Sequence, residues 1–478
     1  MKIYVWISIT IAALLVAFAF IPTWNQYGFV PTDVATVNGE ILVSGSIGIS
    51  TKNMYDRTIK MTQKASFMQC SLDETKGLEE AIHLSSNPDL YNHNHIIDIA
   101  ASDHLKVTLS VATIKNRHRE STVATEHSIA QITCFDEYNQ MLWETILEGS
   151  NETYYGPEIA IYNDLIYVTG YTRSPDFPVK NAFQETLVRD SNFFLSCFDL
   201  QGNMVWSTFI NGTTDSLITS CVVSQNHIYI TGWTMSADFP VKNAMQETLR
   251  GECNAFLSCF DLVGNLEWST YLGGTGYSNA QSCTLEQDHI YITGYTRSPD
   301  FPVKNAFQET LNGQCDAFVS CFDLTGNLEW STYLGGKANT RAQSCMFYQD
   351  HLYIAGWTSS PDFPVKNATQ DVFQTKRFSN HFIEDPMTNA FIVRLTPFGE
   401  LETSTFMDYQ GHSLRQYVDH PSCMLSAMDS GNVLLAIYQV AGSGESKLMK
   451  ARHDEQESNT LFYILTDDCR IISHHYLF

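Results

Sequence analysis

Short apolar and alternating runs follow one another along most of this chain. Between Gln281 and Gly336 there are four, SCTLEQ, HIYITGYT, DAFVSCFDL and LEWSTYL, all rich in β-branched and aromatic residues, which favour strands. The first two are separated by the polar turn QD and the last two by DLTGN, and such turns are typical of β-hairpins. The pattern predicts four consecutive antiparallel strands, which is the content of one propeller blade.

The same pattern recurs at a fixed spacing of 62 residues. One segment between the second and third strands is nearly identical in four copies, which begin at Ser174, Ser236, Ser298 and Ser360. Self-similarity at a fixed period is the signature of repeat architectures. With weaker copies on both sides, we count seven four-stranded units from about Val34 to Phe478. The predicted fold class is all-β, a seven-bladed β-propeller of four-stranded antiparallel blades.

Two features of this architecture stay open from the sequence alone. We interpret each blade as one unbroken stretch of chain with its first strand nearest the axis. A different assignment of strands to blades, in which one blade is split between the two termini, fits the sequence equally well. An open solenoid is the rival to a closed ring.

Four motifs of the repeat, WSTYLGG, IYITGYT, SPDFPVKNAFQ and DAFVSCFDLTGN, together resemble the SBBP family, the seven-bladed β-propeller repeat of secreted and surface proteins. The resemblance is specific from Glu158 to Phe406 and fades outside that range, where the DFP element is missing. It implies a propeller fold outside the cell. It implies no settled biochemical activity.

An uncharged run of 19 residues, from Ile3 to Ile21, follows Lys2. As a helix it would span about 28 Å, close to a bilayer core. It is interpreted either as an uncleaved signal anchor or as a signal peptide cut after AFA at Ala17 to Ala19. Both place the rest of the chain outside the cytoplasm, secreted or anchored to the membrane, because the positive end stays inside. The predicted organisation is therefore 1–22 signal peptide or transmembrane helix, 23–33 linker and 34–478 propeller.

The repeated segment is about 18 residues long, whereas a hairpin needs two to five. Because strand direction alternates, all these connections should emerge on one face of the ring, which we call the long-loop face. We expect the Phe of DFP to pack inward and KNAFQETL to form one or two helical turns. The segment either braces its blade or carries a ligand site. The candidate ligand-binding residues are Asp176, Lys180, Asp238, Lys242, Asp300, Lys304, Asp362 and Lys366.

Charge and motifs narrow the classes of function. The formal net charge of −24 repels phosphate backbones, so nucleic acid is not expected as a partner. The sequence has no GxSxG, HExxH, Walker-type or dinucleotide-binding motif. Neither zinc-site spacing nor a calcium loop occurs either. No cofactor and no metal site are predicted, and the only membrane contact expected is through the N-terminal helix.

Cysteines and histidines follow the repeat. Most of the twelve Cys fall at matching strand positions and are predicted to be free buried thiols. Cys253 and Cys315 lie outside the predicted strands and are better disulfide candidates. The histidines that follow the first turn of three blades are expected to lie on the surface. They are His227, His289 and His351.

Repetition also bears on activity. An acid and a base need different environments to hold different pKa values, and near-identical blades offer identical ones. The main prediction is therefore a non-enzymatic binding or scaffold module at the cell surface, contacting a protein or a glycan. The alternative is an extracytoplasmic hydrolase or lyase with an axial site built from the divergent blades one, two and seven. A purely structural surface protein is a third hypothesis.

Overall fold

The computed structural model describes the chain in separate stretches. All the secondary-structure elements within these stretches are β-strands. The described residues are 23–37, 40–53, 59–73, 77–84, 93–102, 104–116, 125–136, 138, 140–147, 158–188, 192–373, 388–407, 422–427, 432–438 and 460–477. The predicted hydrophobic helix at 1–22 lies outside them. Within the described residues, no helix has the length and apolarity needed to cross a membrane. The all-β prediction is confirmed.

The first eight strands form one sheet. Its two antiparallel halves, β1–β4 and β5–β8, meet through the single parallel pair Gln63 and His93. The strands are β1 (Thr23–Val37), β2 (Glu40–Asn53), β3 (Ile59–Asp73), β4 (Gly77–Leu84), β5 (His93–Ala101), β6 (Leu105–Asn116), β7 (Thr125–Asp136) and β8 (Met141–Leu147). Each half contains the strands predicted for one blade.

The other twenty strands form five separate four-stranded antiparallel sheets, each one unbroken stretch of chain. They correspond to predicted blades three to seven, and we keep those numbers. Blade three contains β9 (Ile159–Tyr162), β10 (Leu165–Thr172), β11 (Asn192–Asp199) and β12 (Met204–Ile210). Blade four contains β13 (Ser216–Ser224), β14 (His227–Thr234), β15 (Asn254–Asp261) and β16 (Leu266–Leu272). Blade five contains β17 (Ser278–Glu286), β18 (His289–Thr296), β19 (Asp316–Asp323) and β20 (Leu328–Leu334). Blade six contains β21 (Thr340–Tyr348), β22 (His351–Thr358), β23 (Asn389–Leu395) and β24 (Leu401–Met407). Blade seven contains β25 (Ser422–Ala427), β26 (Val433–Tyr438), β27 (Thr460–Leu465) and β28 (Ile471–Leu477).

The first strands of successive units lie next to one another. Strand β1 contacts β5, β5 contacts β9, and the sequence continues through β13, β17, β21 and β25. Strand β25 in turn contacts β1. The first strand is therefore the inner strand of each unit, as the unbroken phase predicts. The sheets pack face against face, as in a propeller.

A tryptophan joins each of several blades to the next one, and we call this contact the tryptophan lock. The indole Nε1 of Trp268 in β16 donates to Leu324 O at 2.8 Å, in the β19–β20 turn of blade five. Gly326 of that turn has φ +87°, and a Cβ there would lie 2.9 Å from the Trp268 ring. Only glycine combines this conformation with so close an approach. The same contact is made by Trp143 to Leu200, Trp206 to Leu262 and Trp330 to Pro397.

The phenylalanine of each DFP triplet is buried, which confirms the predicted anchor. Phe301 is 3% exposed, and its ring centroid lies 4.6 Å from that of Phe318 and 5.9 Å from that of Tyr333. Its backbone N–H donates to the Tyr333 hydroxyl at 3.1 Å. The equivalent residues Phe177, Phe239 and Phe363 are also 2–3% exposed. The segment is thus held against strands three and four of its own blade.

The helical turns predicted for KNAFQETL do not form, and the segment runs along the outer strand instead. Lys304 and Ser331 exchange two backbone hydrogen bonds, at 3.0 and 2.8 Å, and Tyr333 N donates to Gln308 O at 3.2 Å. The outer strand of a blade offers unpaired backbone groups at its edge. Those groups bind the segment's backbone in place of intrahelical hydrogen bonds, and they leave the blade edge covered.

Candidate functional site

The predicted aspartates bind the connection that enters their own blade. Asp300 Oδ1 accepts from Thr275 N at 2.8 Å and from Thr275 Oγ1 at 2.9 Å. Asp238 accepts from Thr213 N at 2.9 Å, and Asp362 from Lys337 N at 3.0 Å. Asp176 is the corresponding residue in blade three. These contacts hold the long-loop segment to the connection between consecutive blades.

The predicted lysines engage the opposite edge of the blade. Each Nζ donates to a carbonyl at the start of the fourth strand, at 2.6–2.7 Å. The pairs are Lys180 with Met204, Lys242 with Leu266, Lys304 with Leu328 and Lys366 with Leu401. Within one segment, the Asp and the Lys are therefore directed to different elements. Ligand binding by this set stays a prediction.

The hydrogen bonds that the Asp300 carboxylate accepts should stabilise the fold in a pH-dependent way. Its pKa is lowered, chiefly because the carboxylate accepts the Thr275 N–H. A folded-state pKa below the unfolded value stabilises the fold above the unfolded pKa, near 4, and this stabilisation is lost as the pH falls further. We expect Asp300→Asn to lower the melting temperature at pH 7, with the difference from the wild type shrinking below about pH 4. Glu309→Gln, which removes a charge from the same segment, is the control. A difference that is constant with pH would contradict this assignment.

A bulge interrupts the inner strand of several units at one register position, and we call the residue after it the post-bulge residue. In blades four, five and six it is Ser220, Ser282 and Ser344. Ser220 Oγ accepts from Cys283 N of the next blade at 3.3 Å, and Ser282 Oγ accepts from Cys345 N at 3.2 Å. Ser344 Oγ accepts from Leu425 N at 3.2 Å. Side chains at this position thus reach around the axis to the neighbouring inner strand.

In the first three units the same position carries carboxylates. Asp33 follows the bulge of β1 and pairs with Ser44, and Asp98 follows the bulge of β5 and pairs with Leu109. In blade three the position is Glu158, whose carbonyl accepts from Thr169 N at 2.9 Å. Glu158 Oε2 also accepts from Cys221 N of blade four at 3.3 Å. Three consecutive inner strands therefore place an acidic residue at one level around the axis.

Aromatic side chains and an arginine line the inner ends of blades four to six on the long-loop face. The Arg341 guanidinium carbon lies 4.2 Å from the Tyr295 ring centroid and 5.3 Å from that of Trp357, which is cation–π geometry. Tyr295 stacks on Tyr277 at 6.1 Å, and Tyr277 lies 6.4 Å from Trp233. Arg341 precedes the post-bulge Ser344 by three residues, or about 10 Å of strand. We call these five residues the aromatic row.

Eleven cysteines, those whose side chains the structure describes, are free. Cys253 and Cys315, the disulfide candidates, are buried to 0% and 1% exposure, and each thiol faces a backbone carbonyl of the adjacent inner strand. Burial raises the pKa of the Cys253 thiol to about 12. The prediction of free buried thiols is confirmed for the strand cysteines whose side chains the structure describes, except that Cys221 is only partly buried. The disulfide suggested for Cys253 and Cys315 was wrong, because both thiols are free.

Comparison with known proteins places the chain in no named family, and no family profile matches it. The resemblance to the SBBP family therefore stays a prediction. The chain is 20% identical over 245 residues to the regulatory protein FlaEY of Caulobacter vibrioides. The match covers 51% of this chain but only 25% of FlaEY.

Solved structures similar to this chain include two proteins that are named as enzymes. The endosialidase of phage phi92 has a TM-score of 0.40 and 10% identity, with 91% of this chain and 66% of that chain covered. A Synechocystis apocarotenoid oxygenase variant has a TM-score of 0.40 and 11% identity, with 95% and 93% covered. At these values the likeness concerns the fold and assigns no reaction.

These comparisons correct one prediction. The sequence predicted a protein that is not an enzyme, because near-identical blades offer identical environments. Several of the similar structures are named as enzymes, which is opposite to that prediction. The three acidic residues also belong to units that differ in sequence, where the premise of identical environments fails.

Sequence reasoning assigned an axial site to the divergent blades but named no residue in it. The signal that was missed is the residue type at the post-bulge position of each first strand. At 62-residue intervals after Glu158, the three near-identical blades have Ser220, Ser282 and Ser344. Blade three departs from that pattern because it has a glutamate there. The matching of Asp33 and Asp98 to the same level depends on the bulges, which alter the register.

Proposed function

We propose that the chain forms a closed seven-bladed propeller outside the cytoplasm, with β1–β4 and β5–β8 as its first two blades. Each half of the eight-stranded sheet has the four antiparallel strands of a blade, and only one residue pair joins the halves. The contact between β25 and β1 supports closure. The apolar run behind Lys2 supports export.

We further propose that this propeller is a hydrolase or lyase with its active site at the axis. The observation that carries the proposal is an acidic residue at the same position in three consecutive units, Asp33 and Asp98 after a bulge and Glu158 opposite Thr169, where the next three units have serine. Carboxyl groups act as general acids when protonated and as general bases or nucleophiles when ionised. Three unlike units can give these groups the different pKa values that such roles require.

A glycan is the substrate class that suits these residues best. Most glycoside hydrolases use a pair of Asp or Glu residues on opposite sides of the scissile bond. Ligand sites commonly combine aromatic walls with a few polar groups that fix orientation. The aromatic row supplies aromatic walls, and Arg341 within it supplies a polar group. The row lies on the long-loop face, about three residues of strand from the level of the three acidic residues.

The test is glycan cleavage by the full-length chain and by charge-neutralised variants. A panel of polysaccharides is assayed for new reducing ends and for unsaturated products, which separates hydrolysis from elimination. We expect the wild type to cleave at least one polymer, and Asp98→Asn or Glu158→Gln to lower kcat by about 100-fold or more. The matched control is Asp261→Asn, which neutralises an acid at the end of β15 in blade four and should keep full activity.

Unchanged melting temperatures would show that the variants fold, so that a loss of rate reports on chemistry. Absence of cleavage across the panel would contradict the proposed substrate class. Cleavage that persists in the Asp33→Asn/Asp98→Asn/Glu158→Gln triple variant would contradict the axial site itself.

A further inference from the structure

A histidine, a cysteine and a glutamate meet on one side of blade four, away from the long-loop face. His227 begins β14, Cys259 lies in β15 and Glu267 lies in β16. One ligand atom from each lies within 4.8 Å of the other two. His227 Nε2 and Glu267 Oε2 are 3.0 Å apart. The set therefore has the atoms of a metal site already close together.

The orientation of the imidazole requires a cation at this point. His227 Nδ1 lies 2.9 Å from the carbonyl oxygen of Gln225. A carbonyl only accepts hydrogen bonds, so Nδ1 carries a hydrogen and the neutral ring presents a lone pair at Nε2. That lone pair faces the carboxylate oxygen of Glu267, which also has only lone pairs. A proton or a metal ion has to lie between them, and a backbone carbonyl on the second nitrogen is a common feature of metal-bound histidine.

The other blades act as internal variants of this set. Blade five has the same residue types, His289, Cys321 and Glu329, with Nε2 and Oε2 again 3.0 Å apart. Among the described residues, however, only the set of blade four brings all three ligand atoms within 4.8 Å of one another. Blade three keeps Cys197 but has Leu165 and Val205 at the positions of the histidine and the glutamate. The two polar residues are therefore present together or absent together.

Blade six shows what replaces the cysteine. It keeps His351 and Glu402, 3.1 Å apart, and has Arg394 at the cysteine position. Arg394 Nε lies 3.1 Å from the same Glu402 oxygen. In blade six, an arginine side chain therefore adds a permanent positive charge beside the glutamate that faces the histidine.

We propose that blade four binds one divalent transition-metal ion of the zinc type through this His–Cys–Glu set. Nitrogen, sulfur and carboxylate oxygen are the ligands that zinc takes in proteins, at about 2.0–2.3 Å. The His227 and Glu267 side chains are 32% and 44% exposed, which leaves a route for the ion. Three protein ligands leave a fourth position for water.

The cysteine distinguishes a metal site from a simple ion pair. Cys259 is 0% exposed, and its sulfur is one of the three ligand atoms that lie within 4.8 Å of one another. A zinc-type ion deprotonates a coordinating thiol and pairs with the thiolate. If His227 is only protonated against Glu267, by contrast, the cysteine takes no part. Substitution of the cysteine therefore separates a metal site from a simple ion pair.

The experiment uses Co²⁺ as a spectroscopic probe of the full-length chain after metal removal with a chelator. We expect thiolate-to-cobalt charge-transfer absorption that saturates at one equivalent per chain, with displacement by Zn²⁺. Cys259→Ser should abolish this absorption, and Cys321→Ser, at the matching position of blade five, should leave it in place. Cys197→Ser, at the matching position of blade three, is the control and should leave the spectrum unchanged.

A second substitution guards against misfolding of the cysteine variant. Glu267→Gln changes a partly exposed side chain, and this variant is expected to lose the tight cobalt binding while its melting temperature holds. Absence of the charge-transfer band in the wild type would overturn the proposal. So would a band that survives Cys259→Ser.

Discussion

Replacing Phe301 by alanine is expected to lower the free energy of unfolding by about 3–5 kcal/mol. The side chain is 3% exposed and fills the space between the long-loop segment and the rings of Phe318 and Tyr333. The substitution leaves a cavity, and a proline follows at once in the sequence, so the backbone has little freedom to collapse into it. Denaturant unfolding of the full-length chain, followed by tryptophan fluorescence, measures the effect.

The control for this substitution lies in the same segment. Phe307 is 46% exposed, and Phe307→Ala should change the free energy of unfolding by no more than about 0.5–1 kcal/mol. Both variants delete the same group, so the difference isolates burial. Equal effects would mean that the segment does not anchor the blade through Phe301.

Replacing Trp268 by alanine should have an effect of similar size, about 3–5 kcal/mol. The indole is 4% exposed and bridges blades four and five through its stacking on Gly326 and its hydrogen bond to Leu324. The substitution removes packing and leaves a carbonyl of the turn without its donor. Differential scanning calorimetry would record the lowered melting temperature.

Trp268→Phe divides this effect into its parts. Phenylalanine keeps most of the ring surface but has no N–H, so we expect a loss of about 1–2 kcal/mol. If phenylalanine were as destabilising as alanine, the hydrogen bond and not the packing would dominate the tryptophan lock.

The sheets could be predicted because the repeat is evident in the amino-acid sequence. Hairpin turns such as DLTGN and alternating runs such as HIYITGYT depend on local chemistry, and the strands observed in blades three to six follow them. The prediction of helical turns in KNAFQETL was wrong. Local propensity takes no account of the outer strand, whose edge supplies backbone hydrogen-bond partners to Lys304 and Gln308. Tertiary contacts overrode the local preference there.

The candidate sites were harder to predict for a related reason. Asp98 and Glu158 share a level only because the bulge in β5 shifts the register by one residue, which the sequence does not reveal. His227, Cys259 and Glu267 are 32 and 8 residues apart in turn, a spacing unlike that of a local metal motif. Only the pairing of three strands brings them together.

The tryptophan lock has a direction. Every described blade that makes it presents the indole on one side, and the blade that receives it offers a turn with glycine on the other. Blades four and five are therefore interchangeable modules with matching ends. A gene duplication or deletion of one 62-residue repeat would recreate the same junction on both flanks, so the number of modules can change during evolution without any new interface having to be invented.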